Sequence, residues 1–538
     1  MEKFYVTTAI DYVNSTPHIG HAYEKIAADI VARYHRIRGK DVFFMTGVDE
    51  HGSKVEKSAA DAGKTPKEFC DEMAEKFQLA WTKLNLSHDK FIRTTDPDHE
   101  QAVQVLFLKL LEKGDIYKGT YTGLYCEGCE DFVRERDLDE NGNCFNHKKP
   151  PKQLEEDNYF FRLTSYKDKI REWLTRCPDA VRPEGRKKEI LNQLDDPELA
   201  DFSVTRSRKS LTWGIPVPGK EDQVIYVWID ALSNYITGAG YPHDPVKFAR
   251  YWPADLHLIG KDINKFHSIF WPALLMAADI EVPRQVFAHG FITVNGQKIS
   301  KSLGNVIDPI TLVDTYGADA VRFYLFAGTP FDNDGDFSIR DFADKVNAEL
   351  ANNLGNLLNR VLTLVDKNCG GAVPILDPGE TVDHTLRQQA NEIHRVVDKH
   401  MERLEFAKAI EAIFALVDQA NKYLNDEKPW SLFKEGKTKE GSVVLYTCLE
   451  VLRRVTMNVY PFTPELAQKI WEQLGYSDDV GKIGDRIDDN FFDPIQPGMK
   501  INNTGPVFKR IELPEVPEDE EALVEAGQKK DDKKKKDK

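Results

Sequence analysis

The stretch Phe4-Tyr5-Val6-Thr7-Thr8-Ala9-Ile10, followed downstream by His18-Ile19-Gly20-His21, decides how the whole 538-residue chain is read. The apolar run 4–10 reads as a strand, and Ala22, Ile26, Ala27, Ile30, Val31 and Tyr34 then recur at helical spacing. A strand, a polar loop and a helix N-terminus thus meet at the histidine motif. Unpaired N–H groups and the helix dipole attract anions at such a point, and Gly20, lacking a Cβ, lets a flat ligand close on the backbone. His18 and His21 add donors for phosphate oxygens. A second element suits the same polyphosphate. Residues 290–297 read as a strand and turn, and Lys298-Ile299-Ser300-Lys301-Ser302 follow before Leu303-Gly304-Asn305. Glycines on both sides predict a movable loop, whose two lysines would meet the charge that grows as pyrophosphate separates. Taken singly, the first motif also reads as a capped helix with surface histidines, and the second as a solvated basic loop.

Working outward, residues 1–115 alternate strand-like runs such as 41–46 with amphipathic helices such as 66–86, the pattern of a parallel sheet wound with helices. A cysteine-bearing, turn-rich stretch interrupts it over 116–215. Strand-like runs at 224–229 and 256–259 resume the alternation, so residues 216–339 read as the second half of one split nucleotide-binding fold. Residues 340–510 are helical: Leu350, Leu354, Leu357, Leu358, Val361 and Leu362 hold helical spacing, and 447–459 form another apolar-periodic run. The segment 511–538, acidic and then lysine-rich, cannot make a core. The fold class expected is α/β, a Rossmann-like parallel sheet split by a zinc-bearing insertion and followed by an all-α bundle.

The insertion carries Cys126-x-x-Cys129, then Cys144-x-x-His147. Three sulfurs and an imidazole at these spacings make a closed tetrahedral set, which suits one structural Zn²⁺ and leaves no open position for chemistry. Two exposed turns with reduced thiols are the plainer alternative. Cys70, Cys177, Cys369 and Cys448 have no partner in spacing and read as core filler. No apolar run reaches the ~18 residues that span a bilayer, and Met1-Glu2-Lys3 enters a strand directly, so a cytosolic protein without a membrane partner is expected. A chain this long should divide into about three or four domains, each burying its own core. The net charge of −16 opposes a sheath of RNA phosphates, so any RNA contact must rest on local basic patches. Gly47 to Lys54 fails as a phosphate loop, because Gly52-Ser53-Lys54 has the wrong order and Asp49 and Glu50 would repel phosphate.

Together the histidine and lysine motifs resemble the signature of class I aminoacyl-tRNA synthetases. Ala9-Ile10-Asp11-Tyr12, Asp49-Glu50-His51-Gly52, Trp228-Ile229-Asp230-Ala231 and Asp262-Ile263 with His267 look like the methionyl-tRNA synthetase set, each read at a strand end. The resemblance runs over most of the chain. It implies activation of methionine with Mg²⁺-ATP, then transfer to the 3′-terminal adenosine of tRNA(Met). It also implies roles: His18, His21, Lys298 and Lys301 for catalysis, with Gly20 and Ser300 joining them around ATP. Asp49 would bind the methionine ammonium; Ala9, Ile10, Tyr12, Trp228, Ala231, Tyr235, Ile263 and His267 would wall its side chain. The thioether is a weak acceptor for the Tyr12 hydroxyl or the His267 N–H. Asn356, Arg360 and Trp430 match positions that meet the CAU anticodon, although by themselves they read as a polar helix face and a helix-end anchor.

Two features depart from the family pattern. Ile299 stands where methionine is common, a packing change that should leave the lysines in place. Asp11 stands where the family is often apolar and puts a negative charge near the phosphates. A cytidylyltransferase-like enzyme would share the histidine motif but needs neither the zinc insertion nor the helical region. A non-catalytic tRNA-binding paralogue would have lost the phosphate residues. Relatives often continue past such a lysine-rich linker into a dimerising RNA-binding module, so a monomer is expected here.

Overall fold

The computed structural model describes residues 1–126, 131–133, 138–145, 148–299, 304–377, 384–486 and 494–513. Cys129, His147, Ser300, Lys301 and the charged segment 514–538 lie outside the described residues. The chain starts with β1 (Lys3–Thr8), β2 (Asp11–Tyr12), α1 (Ile19–Ile37), β3 (Asp41–Asp49) and, later, β4 (Lys90–Arg93). These build a seven-stranded sheet in the order β2, β3, β1, Leu256–Gly260, Val286–His289, Val181–Arg182, with β4 also paired to β3. Every pairing in it is parallel. Its inner strands are buried along most of their length and read as apolar runs rather than alternations, as a sheet covered on both faces requires.

The order reverses at β1, which takes β3 on one side and Leu256–Gly260 on the other. Open parallel sheets bind ligands at the carboxyl ends of the strands at such a switch point. The 4–10 run stops as a strand at Thr8. Val181–Arg182, from within residues 116–215, adds the far edge strand. The rest of that region includes an antiparallel sheet in which Ile116–Cys126 pairs with Lys152–Phe161 over ten positions.

The run 224–229 is not a strand of the parallel sheet. Lys220–Ile225 is antiparallel within a separate three-stranded sheet, and Val227–Thr237 is a helix. The sequence Val-Ile-Tyr-Val-Trp-Ile is unbrokenly apolar because both elements are buried, so it carries neither period. Cys177 also departs from the reading as core: it is exposed, at the end of helix Lys167–Arg176, whereas Cys70 and Cys448 are buried.

Beyond residue 338 the described chain is mostly helical, including Asn356–Cys369, Phe406–Glu427, Pro429–Lys434 and Thr438–Val459, while 370–377 and 494–513 form no helix. The helix Thr438–Val459 is buried at almost every position from Val443 on. The bundle does not keep a core to itself. Val6, Ile26 and Ile30 belong to the same continuous apolar cluster as Phe323, Leu354, Val417 and Leu452. This follows from α1, whose buried residues include Glu24, Lys25, Asp29 and Arg33 as well as the apolar stripe, so it is covered on nearly every side. Among the described residues no helix is long and apolar enough to cross a membrane.

Candidate active site

α1 begins with a reciprocal cap built from its two histidines. The Nδ1 of His18 accepts the Gly20 N–H at 3.1 Å, and the Nδ1 of His21 accepts the His18 N–H at 3.2 Å. A ring nitrogen that accepts carries no proton, so in both neutral rings the proton sits on Nε2. The rings stack at 3.8 Å. Burial, with His18 and Lys25 nearby, holds His21 well below the usual histidine range and therefore neutral. The helix thus presents two aligned N–H donors beside its own N-terminal dipole. Gly20 leaves room for the cap: a Cβ there would lie 3.0 Å from the folded-back His18 ring, which would have to shift.

The lysine motif reaches the same place. Ile292–Val294 and Gln297–Lys298 form a hairpin through Asn295-Gly296, with Gly296 at φ +73°. The Ile299 side chain comes within 3.7 Å of where a Gly20 Cβ would stand, and the Ile19 N–H donates to the Ile307 carbonyl at 3.0 Å. The exposed Lys298 therefore precedes a residue packed on the first turn of α1. Ser300 and Lys301 lie outside the described residues.

On the other side of β1, Tyr12 of β2 is directly in register with Asp49 of β3, and Asp49 is 4% exposed. Trp228, Ala231 and Tyr235 stand at i, i+3 and i+7 of helix Val227–Thr237 and so share a face. This corrects their placement at a strand end. The Trp228 and Phe266 rings stack at 3.5 Å, and Ile10 packs into the cluster that holds Tyr235. Ala9 and Ile263 share a smaller cluster.

His267 is fixed by two bonds. Its Nδ1 faces the Ile263 carbonyl at 3.0 Å and must donate there, so its Nε2 accepts from the Tyr235 hydroxyl at 2.7 Å. Burial pushes its pKa down to about 4. The expectation that a His267 N–H meets a thioether is thereby overturned, because its one proton is already committed to a carbonyl.

Asp11 does not act as a stray charge. Its Oδ1 accepts from Lys25 Nζ at 2.6 Å, both groups being buried. Burial pushes Asp11 up to about 7, against the pull of Lys25. Sequence reading also missed Asp230, whose carboxylate takes His51 Nδ1 at 2.6 Å and His99 Nε2 at 2.8 Å. It ties the 49–52 loop to the helix of Trp228, Ala231 and Tyr235. Burial would raise Asp230, but His51 and His99 outweigh it and hold it low; the same contact lifts His51 despite burial. Asp230 lies inside the quoted Trp-Ile-Asp-Ala run, so its position was the available signal.

In the bundle, the Arg360 guanidinium lies 5.8 Å over the Trp430 ring and donates to Asn425 at 2.7 Å, with Asn356 exposed one turn earlier. Cys126 and Cys144 are both 2% exposed, Cys126 ending Ile116–Cys126 and Cys144 bridging to Leu138. Among the described residues no group of three or more candidate ligands is placed to hold a metal.

A model of the family described as tRNA synthetases class I (M) matches residues 4–148 and 137–362, and one for the anticodon binding domain of methionyl tRNA ligase matches 374–525. A methionine–tRNA ligase of Thermotoga maritima is 44% identical over 95% of this chain and 80% of its own length. One from Nostoc is 42% identical over 95% of this chain and 98% of its own. The structure of Mycobacterium tuberculosis methionyl-tRNA synthetase in complex with methionyl-adenylate superimposes with a TM-score of 0.90 at 41% identity, covering 95% of this chain and all of that one.

Proposed function

The chain belongs to the class I methionyl-tRNA synthetases, and from that premise we propose how its residues divide the work. It is a methionine–tRNA ligase, acting on methionine, ATP and tRNA(Met). A carboxylate oxygen of methionine attacks the α-phosphorus of magnesium-ATP, the bond to the β-phosphate breaks, and pyrophosphate leaves. A ribose hydroxyl of the terminal adenosine of tRNA then attacks the acyl carbon; AMP leaves, and the hydroxyl proton is lost. Neither step needs a protein nucleophile, so positioning and charge stabilisation supply the acceleration.

His18 and His21 donate through Nε2–H to phosphate oxygens over Gly20, while Lys298, Ser300 and Lys301 close from the hairpin side. What supports this is the packing of Ile299 on the first turn of α1, which brings the two motifs to one anion site. Asp49 takes the methionine ammonium. Ala9, Ile10, Tyr12, Trp228, Ala231, Tyr235, Ile263 and His267 wall the side chain, and the Tyr12 hydroxyl is the side-chain donor assigned to the sulfur. Asn356, Arg360 and Trp430 meet the CAU anticodon, the ring offering a stacking face and Arg360 an edge donor.

One structural Zn²⁺ would be held by Cys126, Cys129, Cys144 and His147 and would brace the insertion. The fit rests on the donor set, three thiols and an imidazole, and on the burial of Cys126 and Cys144. Elemental analysis of protein purified without chelator should give one equivalent of zinc. The protein works in the cytoplasm as a monomer. ATP–pyrophosphate exchange run with each of the twenty amino acids tests the whole reading: methionine should support it, and exchange driven better by another amino acid would overturn the pocket assignment.

A further inference from the structure

Behind the two halves of the site runs a buried string of four ionisable groups that the roles above do not use. Lys25 is 1% exposed, and its ammonium has three protons and three acceptors: the Ala9 carbonyl at 3.0 Å, Asp11 Oδ1 at 2.6 Å and Glu24 Oε1 at 3.0 Å. The other Glu24 oxygen meets His289 Nε2 at 3.0 Å. The opposite nitrogen of that ring, Nδ1, faces the Gly290 carbonyl at 2.7 Å. Both nitrogens of His289 face oxygen acceptors, one on a side chain and one on the backbone. The string therefore runs carboxyl, ammonium, carboxylate, imidazole, with each member bonded to the next, and all four are at most 6% exposed.

Its members come from three different segments. Ala9 and Asp11 belong to the link that continues into Tyr12 and lies in register with Asp49. Glu24 and Lys25 follow directly on the histidine cap of α1. His289 and Gly290 lead into the hairpin that carries Lys298. A helix-to-strand contact could be made by apolar side chains at no desolvation cost; a buried ionic contact costs more and differs from it in fixing one geometry. A hydrogen-bonded ammonium with every proton used admits one arrangement of its three neighbours, whereas methylene packing would tolerate sliding.

We propose that Lys25 is a positioning residue for methionine activation: its ammonium locks the methionine-walling link 9–12 to the helix that presents His18 and His21, so that each substrate organises the half-site of the other. This rests on the assignment of methionine and ATP to those two half-sites. Asp11, foreign to the usual family pattern, is on this account the counter-charge that lets a lysine occupy the position.

The test measures coupling rather than activity alone. Dissociation constants for methionine and for a non-hydrolysable α,β-methylene analogue of ATP are taken separately and then each with the other saturating, in the parent, Lys25→Met, Lys25→Arg and Asp11→Asn. The parent should bind each ligand about tenfold tighter in the presence of the other, within the span usual for coupled sites. In Lys25→Met each ligand alone should bind within about threefold of the parent while the coupling factor falls toward one, and kcat for exchange should drop by roughly 100-fold, the scale of a misplaced reacting pair. Lys25→Arg should restore part of the coupling. If Lys25→Met does not fold, Asp11→Asn, which keeps the ammonium on Ala9 and Glu24, reads the same quantity with a smaller loss. Coupling that is absent in the parent, or retained in Lys25→Met and Asp11→Asn, overturns the inference, as does a Lys25→Met protein whose single-ligand affinities fall as far as its ternary one. A parent that binds neither ligand would instead refute the assignment of the half-sites.

Discussion

Replacing Asp29 by asparagine exchanges one oxygen for an NH₂ group at the point where α1 meets the helical bundle. Asp29 and Arg322 are both fully buried; Asp29 Oδ2 lies 2.7 Å from Arg322 Nη2 and 2.7 Å from Arg33 Nε, while Oδ1 accepts from Ser87 N and Oγ at 2.6 Å. Arg322 donates onward to the carbonyls of Leu84, Pro461 and Phe462, and Arg33 to the Tyr460 hydroxyl. The amide keeps the shape and removes the charge that both guanidiniums contact. Either way it is turned, its NH₂ faces donors. Breaking a buried pair in this way costs about 3 to 5 kcal/mol, and Asp319, pushed up to about 6 by burial but near Arg322, sets the expectation toward the lower end. The control is the same substitution at an exposed pair: Asp195→Asn against Arg171, with side chains 66% and 39% exposed, should cost at most about 1 kcal/mol. Urea unfolding of parent and both variants, followed by circular dichroism, reads the difference. The pH dependence checks the cause. Burial alone would raise Asp29, but Arg33 and Arg322 hold it well below the usual carboxylate range, so its contribution is present above the unfolded value near 3.8 and fades only as pH falls beneath that. An Asp29→Asn protein no less stable than Asp195→Asn would refute the argument that these charges are shut off from water.

Trp430→Ala should remove a stacking face worth roughly 1 to 3 kcal/mol per base, lowering charging of a CAU tRNA about tenfold while exchange without tRNA stays at the parental rate; equal losses in both assays would make Trp430 an anchor of the bundle. Asp49→Ala should weaken methionine binding by about 2 to 5 kcal/mol through loss of the counter-charge to a buried ammonium, with ATP affinity unchanged, as calorimetry can read. His267, held at about 4 against an ordinary 6.5, takes its proton later in the folded protein than in the unfolded chain. Stability should therefore decline as pH falls from 6.5 toward 4, by about 3 kcal/mol at 1.36 kcal/mol per pKa unit. His267→Phe should flatten that slope in acid titrations, and an unchanged slope would assign it to other groups.

The parallel sheet and the helical region were legible because their signals are local. Apolar runs bounded by turns and a stripe at 3.6-residue spacing need no knowledge of partners. The same locality explains the failure at 224–229, where a strand of one sheet passes into a buried helix with no polar residue between Val224 and Ile229 to set a period. It also explains why separate cores were expected for each domain. α1 carries Glu24, Lys25, Asp29 and Arg33 on what reads as its solvent face, yet all four are buried. Charge normally marks the exposed side of a helix, and nothing in α1 alone shows that its charged face meets partners as distant in sequence as Asp11, His289, Arg322 and Tyr460.

Legibility within the site divides along the same line. The histidine cap, Gly20 and the hairpin before Lys298 are built from residues within a few positions of one another, and their chemistry could be argued from spacing. The proton on His267 could not. Which nitrogen donates is fixed by the Ile263 carbonyl four residues away and by the Tyr235 hydroxyl thirty-two residues away, so a side chain that reads as a donor for sulfur is in the fold a donor to backbone and an acceptor from phenol. Asp11 inverts in the opposite direction. Alone it is a negative charge beside an anion site and argues against the site; with Lys25 at 2.6 Å it is half of a pair, and the repulsion that sequence predicts for phosphate is cancelled before any ligand arrives. Residues that look wrong for a site in isolation are therefore the ones whose partners are worth seeking first, because a buried charge without a partner would not persist.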